Sequence, residues 1–225
     1  MPARGVVGRE SRKMRRPFAL CIFSVSLIGA AGRGIAQNSP SQSMSFFVTS
    51  VGRGFGANLG GLAGADALCR RLASAVGRGD REWRAYLSAP TANGGPPVHA
   101  RDRIGKGPWV NANGIQIAAT LEELHSDASG VNRETALTEK GFEVGENRHD
   151  ILTGSNADGT LVRGSDATCR GWTSHDTGRA MVGHHNRYGG GDGTSWNSAH
   201  LSRGCSQQAL RASLSDGLIY CFAAD

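Results

Sequence analysis

The chain has 225 residues, with 25 Lys and Arg against 19 Asp and Glu, and a formal net charge of +6. Seven of the basic residues but only one acidic residue fall within positions 1–36, so 18 of each remain in the rest of the chain. This balance removes nucleic acid as a leading partner. About 189 residues remain beyond position 36, which is enough for one domain with a single core.

The first 36 residues have the pattern of a secretory signal peptide. Arg15 and Arg16 precede the apolar run Phe18–Ala31, and the small residues Gly34 and Ala36 resemble a cleavage site. The apolar run is shorter than the ~20 residues that a membrane span needs. We therefore expect a secreted or periplasmic protein, with no membrane span in the mature chain.

A flexible leader is predicted at residues 37–44, because this segment is short and polar, and a single domain is predicted at 45–225. Ser45–Val51 (SFFVTSV) is typical of a strand. Leu62–Val76 is the clearest helix, since apolar residues recur there at steps of three and four. Cys69 lies on the predicted buried face of this helix.

A second strand is predicted at Glu82–Ser88, where Trp83, Ala85 and Leu87 alternate with residues assigned to the outer face, namely Arg84, Tyr86 and Ser88. Farther on, Gly114–Ala118 is predicted as a short strand and Ala119–His125 as one or two helical turns. Glycine and polar residues dominate from Ser126 onward. The terminal GLIYCFAAD is predicted as a central strand.

Four cysteines follow the predicted signal peptide, which itself contains Cys21; they are Cys69, Cys169, Cys205 and Cys221. An even number in an exported chain indicates two disulfides. Four cysteines allow three pairings, and the count does not choose among them. No Cys-x-x-Cys spacing supports a thiolate zinc site.

Two glycine-containing motifs resemble ligand loops. VGRGFGA, Val51–Ala57, has the G-x-G-x-x-A spacing of a dinucleotide-binding turn, but the parallel βαβ series that should follow is missing. GSNADGT, Gly154–Thr160, resembles a calcium loop through Asn156 and Asp158, but too few ligands follow. We interpret the second motif as a tight turn in which Gly159 accepts a positive φ.

The segment Gly183–His200 (GHHNRYGGGDGTSWNSAH) contains three histidines. His184 and His185 would point to opposite faces of an extended segment, so at most one joins His200 or His175 around a common ion. The chain has no Gly-x-Ser-x-Gly or His-Glu-x-x-His motif. A zinc-dependent or triad hydrolase remains the alternative, using His175, His184, His200 and Asp192.

Trp196 allows two interpretations. It either fills the core or stacks against a sugar face, and its neighbours Asp192, Asn197 and His200 are hydrogen-bonding residues of the kind that sugar sites use. We predict Trp196, Asn197, Asp192 and His200 as the ligand-binding residues.

Several segments resemble the C-type lectin-like fold, and most closely the endostatin-type domain at the C-terminus of certain collagens. The resemblance covers most of Ser45–Asp225. Bacterial secreted lectin-like proteins look similar. The segments that carry it are GLAGADALC, WRAYLS, LTGSNADGT, GWTS, SWNSAHLSRGC and GLIYCFA. In that fold the helix cysteine joins the terminal strand and the inner two cysteines join each other, which implies Cys69–Cys221 and Cys169–Cys205.

The chain departs from this family at its metal sites. The Glu-Pro-Asn or Gln-Pro-Asp tripeptide of calcium-dependent sugar binders does not precede Cys169. Their Trp-Asn-Asp sequence is also absent, since Ser198 follows Trp196-Asn197. Endostatin's zinc ligands are mainly histidines near its N-terminus, and this chain has none at 37–84. A heparin-type patch of arginines also maps poorly, although four could lie together, namely Arg81, Arg84, Arg101 and Arg103; we favour a solvated face for them.

We therefore predict a secreted α+β protein of C-type lectin-like, endostatin-type architecture with two disulfides. Its predicted role is non-enzymatic recognition of a carbohydrate or cell-surface glycoconjugate through the long loop region. No cofactor is expected, with calcium disfavoured and zinc left open. A protein-binding module of endostatin type is the alternative within the same fold.

Overall fold

The computed structural model describes residues 44–91, 94–189 and 191–225, without the side chain of Asp192. The predicted signal peptide and residues 37–43 of the predicted leader lie outside this part. Met44 was assigned to the flexible leader, which is wrong. Its side chain is buried in the core, and its carbonyl accepts a hydrogen bond from Arg81.

The principal sheet is built around the strand β8 (Ser215–Ala223). It pairs antiparallel with β1 (Phe46–Val48) and β2 (Trp83–Ala85), and parallel with β5 (Asp150–Leu152). The prediction of a central strand here is confirmed. All but one of its nine residues are buried, because both faces of the strand are covered by apolar side chains.

Two further strands extend the sheet beyond β5. β6 (Met181–His184) pairs antiparallel with β5, and β7 (His200–Leu201) pairs antiparallel with β6. The register places Asp150 opposite His184 and Val182 opposite His200. Polar residues from distant parts of the sequence thereby meet at one edge of the sheet.

The helix α1 (Gly61–Ala75) packs on one face of this sheet and confirms the prediction to within one residue. Its buried face includes Ala65, Leu68 and Cys69. Both disulfides are present as the resemblance implied. Cys69 is bonded to Cys221 of β8, with Cα atoms 5.6 Å apart, and Cys169 to Cys205, with Cα atoms 5.8 Å apart.

The remaining strands form a small separate sheet, and the described chain also has three short helices. They are β3 (Trp109–Val110), β4 (Gln116–Ala118), α2 (Leu121–Leu124), α3 (Cys169–Trp172) and α4 (Gln207–Arg211). β4 and α2 confirm the short strand and the helical turn predicted in this region. The side chain of Thr120 caps α2 by accepting a hydrogen bond from the backbone of Glu123.

Aromatic side chains cover the opposite face of the sheet, chiefly Phe46, Trp109, Trp196, Tyr220 and Phe222. Tyr86 and Ser88 were predicted to lie on a solvated face, which is wrong. Tyr86 packs among these rings, and the hydroxyl of Ser88 lies 2.9 Å from that of Ser155. The second face of β2 is buried because the loop region folds over it.

The two glycine motifs have structural roles. The Cβ of any residue replacing Gly56 would lie 2.1 Å from the carbonyl oxygen of Cys205, so close backbone packing requires glycine there. The predicted tight turn at Gly154–Thr160 is confirmed. Its Gly159 has φ +82° and donates its N–H to the carbonyl of Asn156, while Asp158 accepts a hydrogen bond from the backbone of Thr160.

Asp66 is a buried carboxylate that ties α1 to β2 and to the following segment. Its oxygens accept hydrogen bonds from the guanidinium groups of Arg84 and Arg103 and from the backbone N–H of Ala85. Arg103 is itself nearly buried, so this ion pair is poorly screened by solvent.

The Asp66→Asn variant should lower the free energy of unfolding by about 3 kcal/mol, because it leaves a nearly buried guanidinium without its counter-charge. Glu82→Gln is the matched control, since Glu82 pairs with Arg84 at the surface, and its cost should stay below about 1 kcal/mol. Urea denaturation of the two variants measures the difference. Equal costs would mean that the buried pair contributes no more than the exposed one.

Candidate functional site

The segment Gly183–His200 leaves the sheet at the end of β6 and returns to it at β7. A short 3-10 turn, Gly191–Thr194, lies in its middle. The Cβ of any residue replacing Gly183 would lie 1.9 Å from the carbonyl oxygen of Trp196. The two ends of the loop therefore pack directly against each other.

Trp196 is a core residue. Only 3% of its surface is exposed, its ring packs 4.8 Å from that of Tyr86 and 5.2 Å from that of Tyr220, and its indole N–H donates to the carbonyl of Leu124. The first of the two interpretations of this residue therefore fits the structure. A ring buried in this way has no open face against which a sugar could stack.

Asn197 is 1% exposed and fully hydrogen-bonded. Its amide nitrogen donates to the hydroxyl of Tyr86 and to the carbonyls of Asn156 and Ala157, and its amide oxygen accepts from the hydroxyl of Ser195. With every polar atom committed, Asn197 holds the loop against the 156–157 turn. The side chain of Asp192, the third predicted ligand-binding residue, lies outside the described part of the chain.

A polar cleft of about 200 Å³ opens above these two buried residues. Its walls come from the segment after α2, from the Gly154–Thr160 turn and from the Gly183–His200 loop. They comprise His125, Ser126, Asp127, Ala157, Arg187, Gly191, Thr194 and Ser195, with Trp196 and Asn197 as floor. Asp127 is exposed at the rim. The Nε of Arg187 is buried and has no hydrogen-bond partner among the described residues.

His125, in the wall of the cleft, is held by two partners and is uncharged. The Nδ1 of His125 lies 2.8 Å from the carbonyl of Leu121, and its Nε2 lies 2.8 Å from the Tyr86 hydroxyl. Burial lowers the pKa of His125 below its usual value and raises the pKa of Tyr86 well above its own. Among the described side chains that line this cleft, the charged ones are therefore Asp127 and Arg187.

His200 lies away from this cleft, in a second polar cluster at the edge of the sheet. Its Nε2 is 3.0 Å from the Nε2 of His184 and 3.6 Å from Oδ2 of Asp150. The Nε2 atoms of His149 and His184 lie 3.0 and 3.2 Å from Oδ1 of Asp150. His149, Asp150 and His184 form the group whose ligand atoms lie near enough together to hold a metal ion.

The carboxyl of Asp150 is fully buried. Burial raises its pKa, but the surrounding imidazoles of His149, His184 and His200 outweigh this effect and hold that pKa below its usual value. Burial also lowers the pKa of His184, yet its contact with Asp150 and its carbonyl partners raise that pKa above the ordinary value. The cluster therefore holds a carboxylate that is covered from solvent and faced by three imidazoles.

The alternative set of His175, His184, His200 and Asp192 is assembled only in part. His184 and His200 meet, but among the described residues both His175 and His200 lie outside the group whose ligand atoms could hold a metal ion. The expectation that at most one of His184 and His185 joins His200 agrees with the structure. His185 is buried elsewhere, and burial lowers its pKa to about 4.

Sequence reasoning missed His149 and Asp150. The only signal was a histidine and an aspartate directly before the apolar piece at 151–152. The pair points to a site only when β5 is known to pair with β6, because Asp150 then lies opposite His184.

The four arginines considered as a patch are all engaged. Arg81 pairs with Asp225, Arg84 and Arg103 bind Asp66, and Arg101 donates to the carbonyl of Asp158. The expectation of a purely solvated face is therefore too simple. The engaged guanidinium groups do not favour a heparin-type surface at this place.

No protein-family model and no curated protein sequence matches the chain. A search of the described residues for a helix long and apolar enough to cross a membrane finds none.

Proposed function

We propose that this protein is an exported recognition module of C-type lectin-like, endostatin-type architecture. The two disulfides support export, since such bonds persist in oxidising compartments. The α+β sheet closed by a terminal strand, with a helix bonded to that strand, agrees with the proposed architecture. The ligand we propose is a carbohydrate or a surface glycoconjugate.

The cleft above Trp196 and Asn197 is the observation that carries this proposal. A volume of about 200 Å³ suits one sugar ring rather than a larger ligand. Asp127 offers acceptors for sugar hydroxyls, and the guanidinium of Arg187, which lines the cleft, offers donors. Trp196 contributes by supporting the floor, so recognition in this cleft rests on hydrogen bonds rather than on aromatic stacking.

Recognition is favoured over catalysis because the hydroxyls around the cleft are engaged by other groups. Ser126 donates to the carbonyl of Glu123, Thr194 to that of Gly191, and Ser195 to the amide oxygen of Asn197. None of these three described side chains is paired with an imidazole, as an activated nucleophile would be. The histidine of the cleft, His125, is held between Leu121 and Tyr86.

A glycan panel probed with the disulfide-bonded protein tests this proposal. Asp127→Asn and Arg187→Gln should each weaken binding of the recognised glycan by about 10-fold or more, because each removes a charged hydrogen-bonding group. Arg70→Gln is the control, since Arg70 is exposed on α1, which packs against the other core. Binding to no glycan, or equal binding by all three variants, would contradict the carbohydrate proposal and leave the protein-binding alternative.

A further inference from the structure

The cluster at the sheet edge brings three imidazoles and one carboxylate to a common point. Asp150 is the first residue of β5, and His149 directly precedes it. His184 ends β6, and His200 begins β7. We propose that His149, Asp150 and His184 bind one divalent transition-metal ion, with zinc as the expected ion and His200, whose Nε2 contacts that of His184, as the fourth ligand. The assignment goes beyond the carbohydrate proposal and does not depend on it.

The state of the carboxylate is the first argument. Asp150 is fully buried, and within the described part of the chain neither of its oxygens has a hydrogen-bond partner. Its oxygens lie 3.0 Å from Nε2 of His149 and 3.2 Å from Nε2 of His184, whereas the 3.6 Å to Nε2 of His200 is too long for a hydrogen bond. A buried carboxylate without hydrogen bonds is costly unless a cation compensates its charge.

The ring orientations are the second argument. The Nδ1 of His184 lies 2.7 Å from the carbonyl of Tyr188 and 2.8 Å from that of Gly193, so this nitrogen carries the hydrogen. The Nδ1 of His200 likewise faces the carbonyl of Leu201 at 3.2 Å. In their neutral forms both rings therefore direct an Nε2 lone pair toward Asp150.

Lone pairs that face each other and a carboxylate require a positive charge among them. The Nε2 atoms of His184 and His200 are 3.0 Å apart, so with both Nδ1 atoms carrying hydrogen either a proton or a metal ion must lie between the two Nε2 atoms. Metal-bound histidines commonly donate their other N–H to a backbone carbonyl, which fixes the ring and makes the ligand more basic. His184 and His200 both have this arrangement.

The distances fit a metal ion of zinc size. Zinc binds histidine nitrogen and carboxylate oxygen at ~2.0–2.1 Å, so tetrahedral ligand atoms are separated by about 3.3 Å. The Nε2 atoms of His149 and His184 lie 3.0 and 3.2 Å from Oδ1 of Asp150, and the Nε2 atoms of His184 and His200 are 3.0 Å apart. The Nε2 of His200 lies farther from the carboxylate, 3.6 Å from Oδ2. His149 completes the set; its ring stacks on that of His184 with centroids 4.4 Å apart.

Solvent access and donor chemistry agree with the assignment. A cavity of about 460 Å³ is lined by His149 and His200, so an ion can reach the cluster from outside. The side chain of His200 is 43% exposed, whereas that of Asp150 is fully covered. Imidazole ligands suit zinc, copper and nickel, whereas calcium prefers a shell made of oxygen atoms alone.

Metal analysis of the full-length exported protein, purified without a polyhistidine tag, tests the site. We expect one equivalent of metal per chain, or one equivalent of Zn²⁺ taken up after treatment with EDTA and dialysis. Co²⁺ should bind at the same stoichiometry and give the visible absorption of a low-coordinate nitrogen and oxygen site. These readouts do not involve any sugar ligand, so their outcome is separate from that of the glycan panel.

Three variants distinguish this cluster from other histidines. His200→Ala should fold, because His200 is exposed, and should weaken Zn²⁺ binding by more than about 100-fold, since loss of a supporting partner alone costs 10- to 100-fold. Asp150→Asn should remove binding in the same way, and His175→Ala should leave it unchanged. Absence of stoichiometric metal after zinc dialysis, or metal retained equally by His200→Ala and His175→Ala, would overturn the proposal.

Discussion

Removal of the Cys69–Cys221 disulfide, by alanine at both positions, should lower the free energy of unfolding by about 5 kcal/mol. Because the bond joins residues 152 positions apart, it removes a large amount of chain entropy from the unfolded state. The Cys169–Cys205 pair closes a loop with a separation of 36, for which the same relation gives about 4 kcal/mol. Guanidinium denaturation followed by tryptophan fluorescence measures both.

The comparison between the two double variants is the informative control, since each removes one cystine from a buried site and leaves the other in place. A larger loss for the inner pair would contradict the loop-length argument. It would instead indicate that local packing around α3 and Cys205 dominates the contribution of the disulfides.

Trp196→Ala should cost 3–5 kcal/mol of stability, the usual range for removing a buried indole. The change empties the space between Tyr86 and Tyr220 and leaves the carbonyl of Leu124 without its donor. Trp196→Phe keeps an aromatic ring and should cost less, about 1–3 kcal/mol from the lost hydrogen bond. Urea denaturation monitored by circular dichroism measures both variants.

Tyr188→Ala provides a control in the same loop, because Tyr188 is 75% exposed, and it should change stability by less than about 0.5 kcal/mol. If Trp196→Ala were as stable as this control, the tryptophan would not be a core residue in solution. A loss of glycan binding by Trp196→Ala alone would not identify a sugar contact, since the cleft floor is expected to change with the fold.

The parts of the fold that sequence reasoning predicted are local or carry a strong pattern. The helix ending near Val76 follows from its own spacing of apolar residues, and the central position of β8 follows from a strand that is apolar on both faces. Tyr86 was placed on the wrong side because alternation describes one strand, whereas its burial comes from Asn197 and Trp196, more than one hundred positions away.

The candidate sites depended even more on long-range pairing. His200 was selected from its loop, but its partners are set by the order of β5, β6 and β7, which no spacing in the sequence reveals. His149 and Asp150 were missed for the same reason. For Trp196 the sequence left two roles open, and only the packing of the surrounding rings distinguishes them.

The position of β8 in the sequence bears on when the protein can fold. Because β8 follows β1, β2 and β5 in the chain and lies between them in space, these strands emerge from the ribosome before the strand that joins them. Likewise, the thiol of Cys69 in helix α1 can form its native disulfide only after Cys221 has been synthesised. Completion of the sheet and formation of this disulfide are therefore late steps in the folding of the chain.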